Sequence, residues 1–164
     1  MAPPLPCGCA AVTDPTTVDH GMSDSKCELH DVVLADDDPD DQFMIRRALD
    51  RCCPGLALHG VRDGLELMDY LQHRRHVELP RLVLLDLNMP RMDGREALRA
   101  LRADPLFSAL SVVVLTTSVE KGDRLCAVEL GASAFVSKPD GFVELCDTLQ
   151  RTLKVWMRPT GVAP

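Results

Sequence analysis

The sequence predicts a single doubly wound α/β domain, a five-stranded parallel sheet flanked by five helices. Three observations lead there. Five short apolar runs alternate with five longer segments of helical period. The runs are apolar on both faces, as strands covered by helices on two sides must be. At 164 residues and 46% hydrophobic content, the chain supports one ordinary core and not two comfortable ones.

The elements follow in order. Residues 31–36 (DVVLAD) have strand length, and the next segment carries a stripe at Ile45, Ala48, Leu49 and Cys52, spaced i, i+3, i+4, i+7. Residues 56–61 (LALHGV) form a weaker strand, followed by a helix expected to place Leu65, Met68 and Leu71 on one side. Residues 81–86 (RLVLLD) are the clearest buried strand, and the helix GREALRALRAD ends before Pro105. Residues 111–116 (SVVVLT) are the fourth strand, and the following helix has Gly131 as a C-terminal cap. Residues 134–137 (AFVS) are the fifth strand. A long amphipathic helix closes the domain, with Leu145, Leu149, Thr152 and Trp156 near one face. For Trp156, core packing and a dimer contact both stay open.

The expected domain spans residues 30–157, between a disordered tail over 1–29, rich in Pro, Ala, Thr and Asp, and a short tail over 158–164. Met22, in GMSDSK, is expected to be the natural start, and no output domain is expected in the few residues after Trp156. A net charge of −7 argues against a nucleic-acid surface, which needs a basic patch. No apolar stretch has membrane-span length, and the N-terminus lacks a signal-peptide pattern, so the expected location is cytoplasmic. The seven cysteines form no disulfide or zinc framework. Cys7 and Cys9 lack a second ligand pair; Cys126 and Cys146 fit small buried hydrophobes.

In open α/β sheets, functional groups gather beyond the carboxyl ends of the strands. The first strand presents Asp36 and Asp37 there, the third Asp86, the fourth Thr116 and the fifth Lys138; the second offers nothing distinctive. Three carboxylates within several ångströms repel pairwise, by about 1 kcal/mol at 4 Å in water and about 4 at an effective dielectric of 20. A cation resolves that conflict, and hard carboxylate oxygens suit Mg²⁺ or Mn²⁺ rather than zinc. Lys138 and Thr116 complement a phosphate, so the set points to phosphoryl chemistry on an aspartate. Taken alone, Asp36 and Asp37 fit a solvated acidic turn equally well, Thr116 a strand threonine, Lys138 a surface lysine and Phe135 a core aromatic. Pro39 suits a helix start, so Asp40 and Asp41 are expected to serve the helix N-terminus.

The motifs ADDDP, LLDLNMPRMDG, VVLTTS and GASAFVSKP, in that order and spacing, resemble the CheY-like receiver domain of two-component response regulators, over residues 31 to about 156. The resemblance implies a flavodoxin-like fold with Asp86 as phosphoacceptor. It also implies Mg²⁺ held by Asp36, Asp37, Asp86 and the backbone carbonyl of Asn88. Thr116 would hydrogen-bond the phosphoryl group, Lys138 would pair with it, and Phe135 would occupy the aromatic switch position without a tyrosine's hydroxyl. A cis peptide between Lys138 and Pro139 is implied too, a bond otherwise rare. The chain would catalyse only its own phosphorylation and dephosphorylation. Its partners would be a sensor histidine kinase and a second copy, through the fourth helix, fifth strand and fifth helix. A finer resemblance, carried by LDLNMPRMDGREAL, VVVLTTS and the tryptophan in the last helix, is to stand-alone regulators paired with phytochrome-type kinases.

The sequence departs from the family pattern in three respects: Thr117 is bulkier than the usual Ala or Gly, Asp38 replaces a frequent Asn, and neither Asn88 nor Ser118, at the two tuning positions, is acidic. Competing readings are weaker. A haloacid-dehalogenase-type phosphatase wants Asp-x-Asp after the first strand, whereas Asp86-Leu87-Asn88 follows the third. An interaction-only pseudo-receiver would usually have lost a key residue, and an FMN carrier would not repel phosphate at its first loop.

Overall fold

The computed structural model describes residues 31–157. The expected tails, Met22 and the Cys7/Cys9 pair lie outside the described residues. Ten elements alternate along the chain: β1 (Asp31–Ala35), α1 (Pro39–Cys52), β2 (Ala57–Val61), α2 (Gly64–His73), β3 (Leu82–Leu85), α3 (Gly94–Ala103), β4 (Ser111–Thr116), α4 (Lys121–Glu129), β5 (Ala134–Ser137) and α5 (Phe142–Trp156). The strands form one parallel sheet in the order β2-β1-β3-β4-β5. The chain reverses direction across the sheet between β1 and β3, which pair from Val32↔Leu82 to Ala35↔Leu85. Their carboxyl ends therefore open side by side at the switch point, where such sheets place ligands.

Alternation along the strands divides the core. Val33, Ala35, Val83 and Leu85 face α2 and α3; Val32, Leu34, Leu82 and Leu84 face α1 and α5. All four side chains of β3 are fully buried. At about 1.5–3 kcal/mol for each large apolar side chain buried, this central strand anchors the sheet. A smaller cluster of Leu87, Val114 and Ala127 lies under α4, with Phe135 packed against it.

Two expected helix faces differ from the outcome. In α2 the buried residues are Gly64, Leu67 and Leu71, whereas Leu65 is 49% exposed. The register is set by the start of α2, where the Asp63 side chain caps the Glu66 N–H at 2.9 Å and Gly64 meets the β3–α3 loop. A Cβ on Gly64 would stand 2.9 Å from the Met92 carbonyl oxygen, so this face must point inward. In α5 the third buried residue is Leu153, not Thr152, whose hydroxyl donates to the Thr148 carbonyl at 2.9 Å. Trp156 packs, partly buried, against the α1/α5 side of the core. Cys126 and Cys146 are half-buried, and the four described cysteines are free thiols. Among the described residues no peptide bond is cis, so Lys138–Pro139 is trans, as an X–Pro bond is by an intrinsic margin of about 0.5–1 kcal/mol. No described helix is long and apolar enough to cross a membrane.

Candidate functional site

The loop after β1 makes two sharp adjustments that aim its acids apart. The Asp36 carboxylate accepts the Asp38 N–H at 3.0 Å, curling the chain back over the end of the strand. Asp38 is the N-cap of α1, accepting the N–H groups of Asp40 (2.8 Å) and Asp41 (3.5 Å), with Pro39 in the first turn. Asp38 is thus engaged with the helix. Gln42 secures the turn from inside α1, donating to the carbonyls of Asp36 (2.7 Å) and Val61 (3.1 Å).

Asp86 follows β3. Gly94, at the start of α3, lies so close beneath it that an added Cβ would stand 2.8 Å from the Leu87 Cα, and the capping box of Asp93 and Glu96 holds that helix end in place. The Asn88 N–H donates to Asp86 Oδ2 at 3.1 Å. Asp36 and Asp86 are buried while Asp37 is exposed. One carboxylate oxygen from each of the three lies within 4.8 Å of the others. This all-oxygen set, one edge open to solvent, fits a hard divalent cation that keeps some water ligands.

Lys138 leaves β5 toward the same point, its N–H bonded to the Thr116 carbonyl at 2.8 Å. The ammonium lies 2.5 Å from Asp36, 2.8 Å from Asp41 and 3.8 Å from Asp86. Burial pushes the carboxyls of Asp36 and Asp86 up, despite Lys138 pulling both the other way. For Lys138, burial acts downward, but the bonds to Asp36 and Asp41 and the charges around it outweigh that and hold it above its ordinary value. The protein thus concentrates negative charge in a pocket where a single ammonium compensates it only in part. Thr116, fully buried, turns its hydroxyl to Asp86 and favours the ionised carboxylate.

A family model for the response regulator receiver domain matches residues 32–150. The chain belongs to the response-regulator receiver family. The receiver is 32% identical over 139 residues to the response regulator Rcp1 of Synechocystis sp., covering 83% of this chain and 95% of that protein. The Mn²⁺-bound form of Rcp1 superimposes with a TM-score of 0.70, at 30% identity over 82% of this chain and 99% of that one. The phosphorylated cyanobacterial phytochrome response regulator RcpA gives 0.73, at 30% identity over 82% and 98%. RPA3017, a response regulator in red light signaling of R. palustris, gives 0.74, at 30% identity over 83% and 99%.

The remaining candidate positions border the receiver's pocket. Thr117 is exposed and lines a cavity of ≈ 180 Å³ with Asp41, Lys138 and Leu145. Phe135 is half-buried; it and Ser118 line a second cavity of ≈ 250 Å³ at the start of α4. Two residues carry more than the sequence suggested. Asp41, expected only to support the α1 N-terminus, shares Lys138 with Asp36. The loop after β2, thought featureless, holds Asp63, 1% exposed and paired with Arg91 at 2.5 Å from its Nε. Arg91 has a φ of 63°, the left-handed region, so this pair braces a bent β3–α3 loop next to Asn88. An acid before a glycine that starts a helix was the one available signal for Asp63.

Proposed function

We propose that Asp86 accepts a phosphoryl group from the phosphohistidine of a sensor histidine kinase. The observation that carries this is the convergence of three carboxylates from two adjacent strand ends with Lys138, 3.8 Å from Asp86. An Asp86 carboxylate oxygen attacks phosphorus, a P–O bond forms as the P–N bond breaks, and the imidazole leaves. Mg²⁺, or Mn²⁺, held by Asp36, Asp37, Asp86 and the Asn88 carbonyl, would supply positive charge to the phosphoryl oxygens. Lys138 would trade part of its pairing with Asp36 for a phosphoryl oxygen, and the Thr116 hydroxyl would donate to another. Most of the rate comes from this fixed positioning of charge and donors. The chain would act as a switch that catalyses only its own phosphorylation and dephosphorylation.

Phe135 would follow Thr116 as the signal is read out, moving against the cavity beside α4. Asp38, Thr117 and Ser118 are proposed as tuning positions around the phosphoryl group. The named relatives favour a phytochrome-type kinase as partner. Leu125 and Val128 on α4 and Val155 on α5 are exposed, which favours a homodimer through α4, β5 and α5.

The test is incubation with a small phosphodonor and Mg²⁺, followed by intact mass under conditions that preserve acyl phosphates. The wild-type protein gains one phosphoryl mass and Asp86→Asn gains none; an adduct of equal yield on the variant overturns the assignment.

A further inference from the structure

Thr116 does not meet Asp86 as an isolated hydroxyl. Its Oγ1 accepts the Ser118 N–H at 3.3 Å. A hydroxyl has one proton and two lone pairs, so accepting this bond engages one lone pair and leaves the proton free to be donated to the Asp86 carboxylate. Ser118 is held in its turn: its hydroxyl donates to Asp123 Oδ2 at 2.6 Å and accepts the Glu120 N–H at 3.4 Å. The other oxygen of Asp123 takes the Arg95 guanidinium. A continuous chain of polar contacts thus runs from Arg95 on α3, through Asp123 on α4 and Ser118, to Thr116 and Asp86.

An acid in the first turn of a helix is favoured by the helix dipole alone. Asp123 does something more specific, because its carboxylate points back to Ser118 and across to Arg95, while the N-cap of α4, Glu120, makes no side-chain cap bond. The Arg95 and Asp123 side chains are only 25% and 19% exposed, so this is no loose surface pair. The Ser118 hydroxyl, and after it Arg95, hold the Asp123 carboxyl below the usual carboxylate range.

We propose that Asp123, clamped by Arg95, is a positioning residue for the phosphoryl group, acting through Ser118 to set the Thr116 hydroxyl against the group on Asp86. This rests on Asp86 being the phosphoacceptor. With the clamp closed, the loop of residues 117–120 is ordered before the phosphoryl group arrives and the Thr116 donor needs no reorganisation. With the clamp open, the loop must be ordered on binding, at the expense of affinity. The clamp reaches the cation ligands only at Asp86, through the Thr116 hydroxyl, and touches neither Asp36 nor Asp37, so cation binding should change far less than phosphoryl binding.

The experiment titrates beryllofluoride, a phosphoryl mimic, into the protein with saturating Mg²⁺, and titrates Mg²⁺ alone in parallel, both read from backbone amide NMR shifts. Asp123→Ala should weaken beryllofluoride binding by roughly tenfold, while Mg²⁺ affinity stays within about twofold. Arg95→Ala should fall between, and Asp123→Glu should recover most of the loss. Should Asp123→Ala fail to fold, Ser118→Ala removes the link with a single hydroxyl and carries the same expectation. Wild-type affinity in the clamp variants overturns the positioning role, as does an equal loss of Mg²⁺ and beryllofluoride affinity. A wild-type protein that binds Mg²⁺ but not beryllofluoride overturns the phosphoacceptor reading, and this one with it.

Discussion

The Lys138 ammonium bridges the two buried carboxylates of the site, 2.5 Å from Asp36 and 3.8 Å from Asp86, with Asp41 as a third partner at 2.8 Å. It is 8% exposed, and it is the positive charge that the described side chains bring to this acidic pocket. Lys138→Met removes it and leaves Asp36 and Asp86 facing each other. Breaking a buried pair by deleting one partner costs about 3–5 kcal/mol. Urea unfolding in EDTA should show a loss near the lower end of that range, because Asp37 and one edge of the pocket meet solvent. Saturating Mg²⁺ should restore much of it by replacing the missing charge. A loss that Mg²⁺ leaves untouched would show that Lys138 supports the fold by packing alone.

The second prediction concerns pH. Burial raises the carboxyl of Asp86 in the folded state. A raised acid makes the folded protein bind its proton more readily than the unfolded chain does. Stability is then lost as pH rises from the ordinary carboxylate value through the raised one, and it stays lost at neutral pH. Asp86→Asn removes that loss. In EDTA the variant should be more stable than wild type at pH 7, on the order of 1 kcal/mol, as is common where an active site sacrifices stability. The difference should shrink as pH falls through the carboxylate range. A variant less stable than wild type at pH 7 would contradict the burial cause.

A third prediction tests the brace between loops. Asp63 caps α2 and pairs with Arg91, and it is 1% exposed, but Arg91 is 55% exposed and can return to water when left alone. Asp63→Ala should therefore cost about 2 kcal/mol, mostly the lost cap, rather than the full penalty of a buried orphan charge. Asp63→Asn, which keeps the cap acceptor, should cost less than half as much. Denaturant unfolding separates the two, and equal losses would place the weight on the ion pair instead.

These cases also show what the sequence could reveal. β3 was legible because a short apolar run set between two segments of helical period fits a strand covered on both faces, and Asp86 was legible because it follows that strand directly. Asp36, Thr116 and Lys138 followed from the same geometry, since parallel strands bring their carboxyl ends to one edge. The Asp63–Arg91 pair was not legible: it joins residues 28 apart through a loop whose backbone is bent at Arg91. Leu65 was misplaced because Leu65 and Leu67 both belong to plausible helical stripes, and only the docking of Gly64 on Met92 selects between them. Asp41 had a sufficient local reason to sit at a helix start, which concealed its contact with Lys138.

The last prediction concerns how the partner finds the site. Phe43 lies on the second turn of α1 and is 58% exposed, although a phenylalanine gains nothing from water. The Arg47 guanidinium sits 5.7 Å from its ring centroid and 6.0 Å from that of Phe142 at the start of α5. This small aromatic and cationic patch joins α1, which also carries Asp41, to the start of α5, and aromatic residues and arginine are enriched among the residues that carry most of the binding energy of protein interfaces. A kinase presenting its phosphohistidine to Asp86 would cover it, whereas a small phosphodonor would not. Phe43→Ala should therefore lower kcat/KM for transfer from a phosphorylated histidine kinase by roughly tenfold or more, the scale of one interface anchor. Phosphorylation by the small donor should stay within about twofold, since the variant leaves the chemistry untouched. Equal slowing with both donors would instead place Phe43 among the residues that shape the pocket, acting through α1 on Asp36 and Asp41.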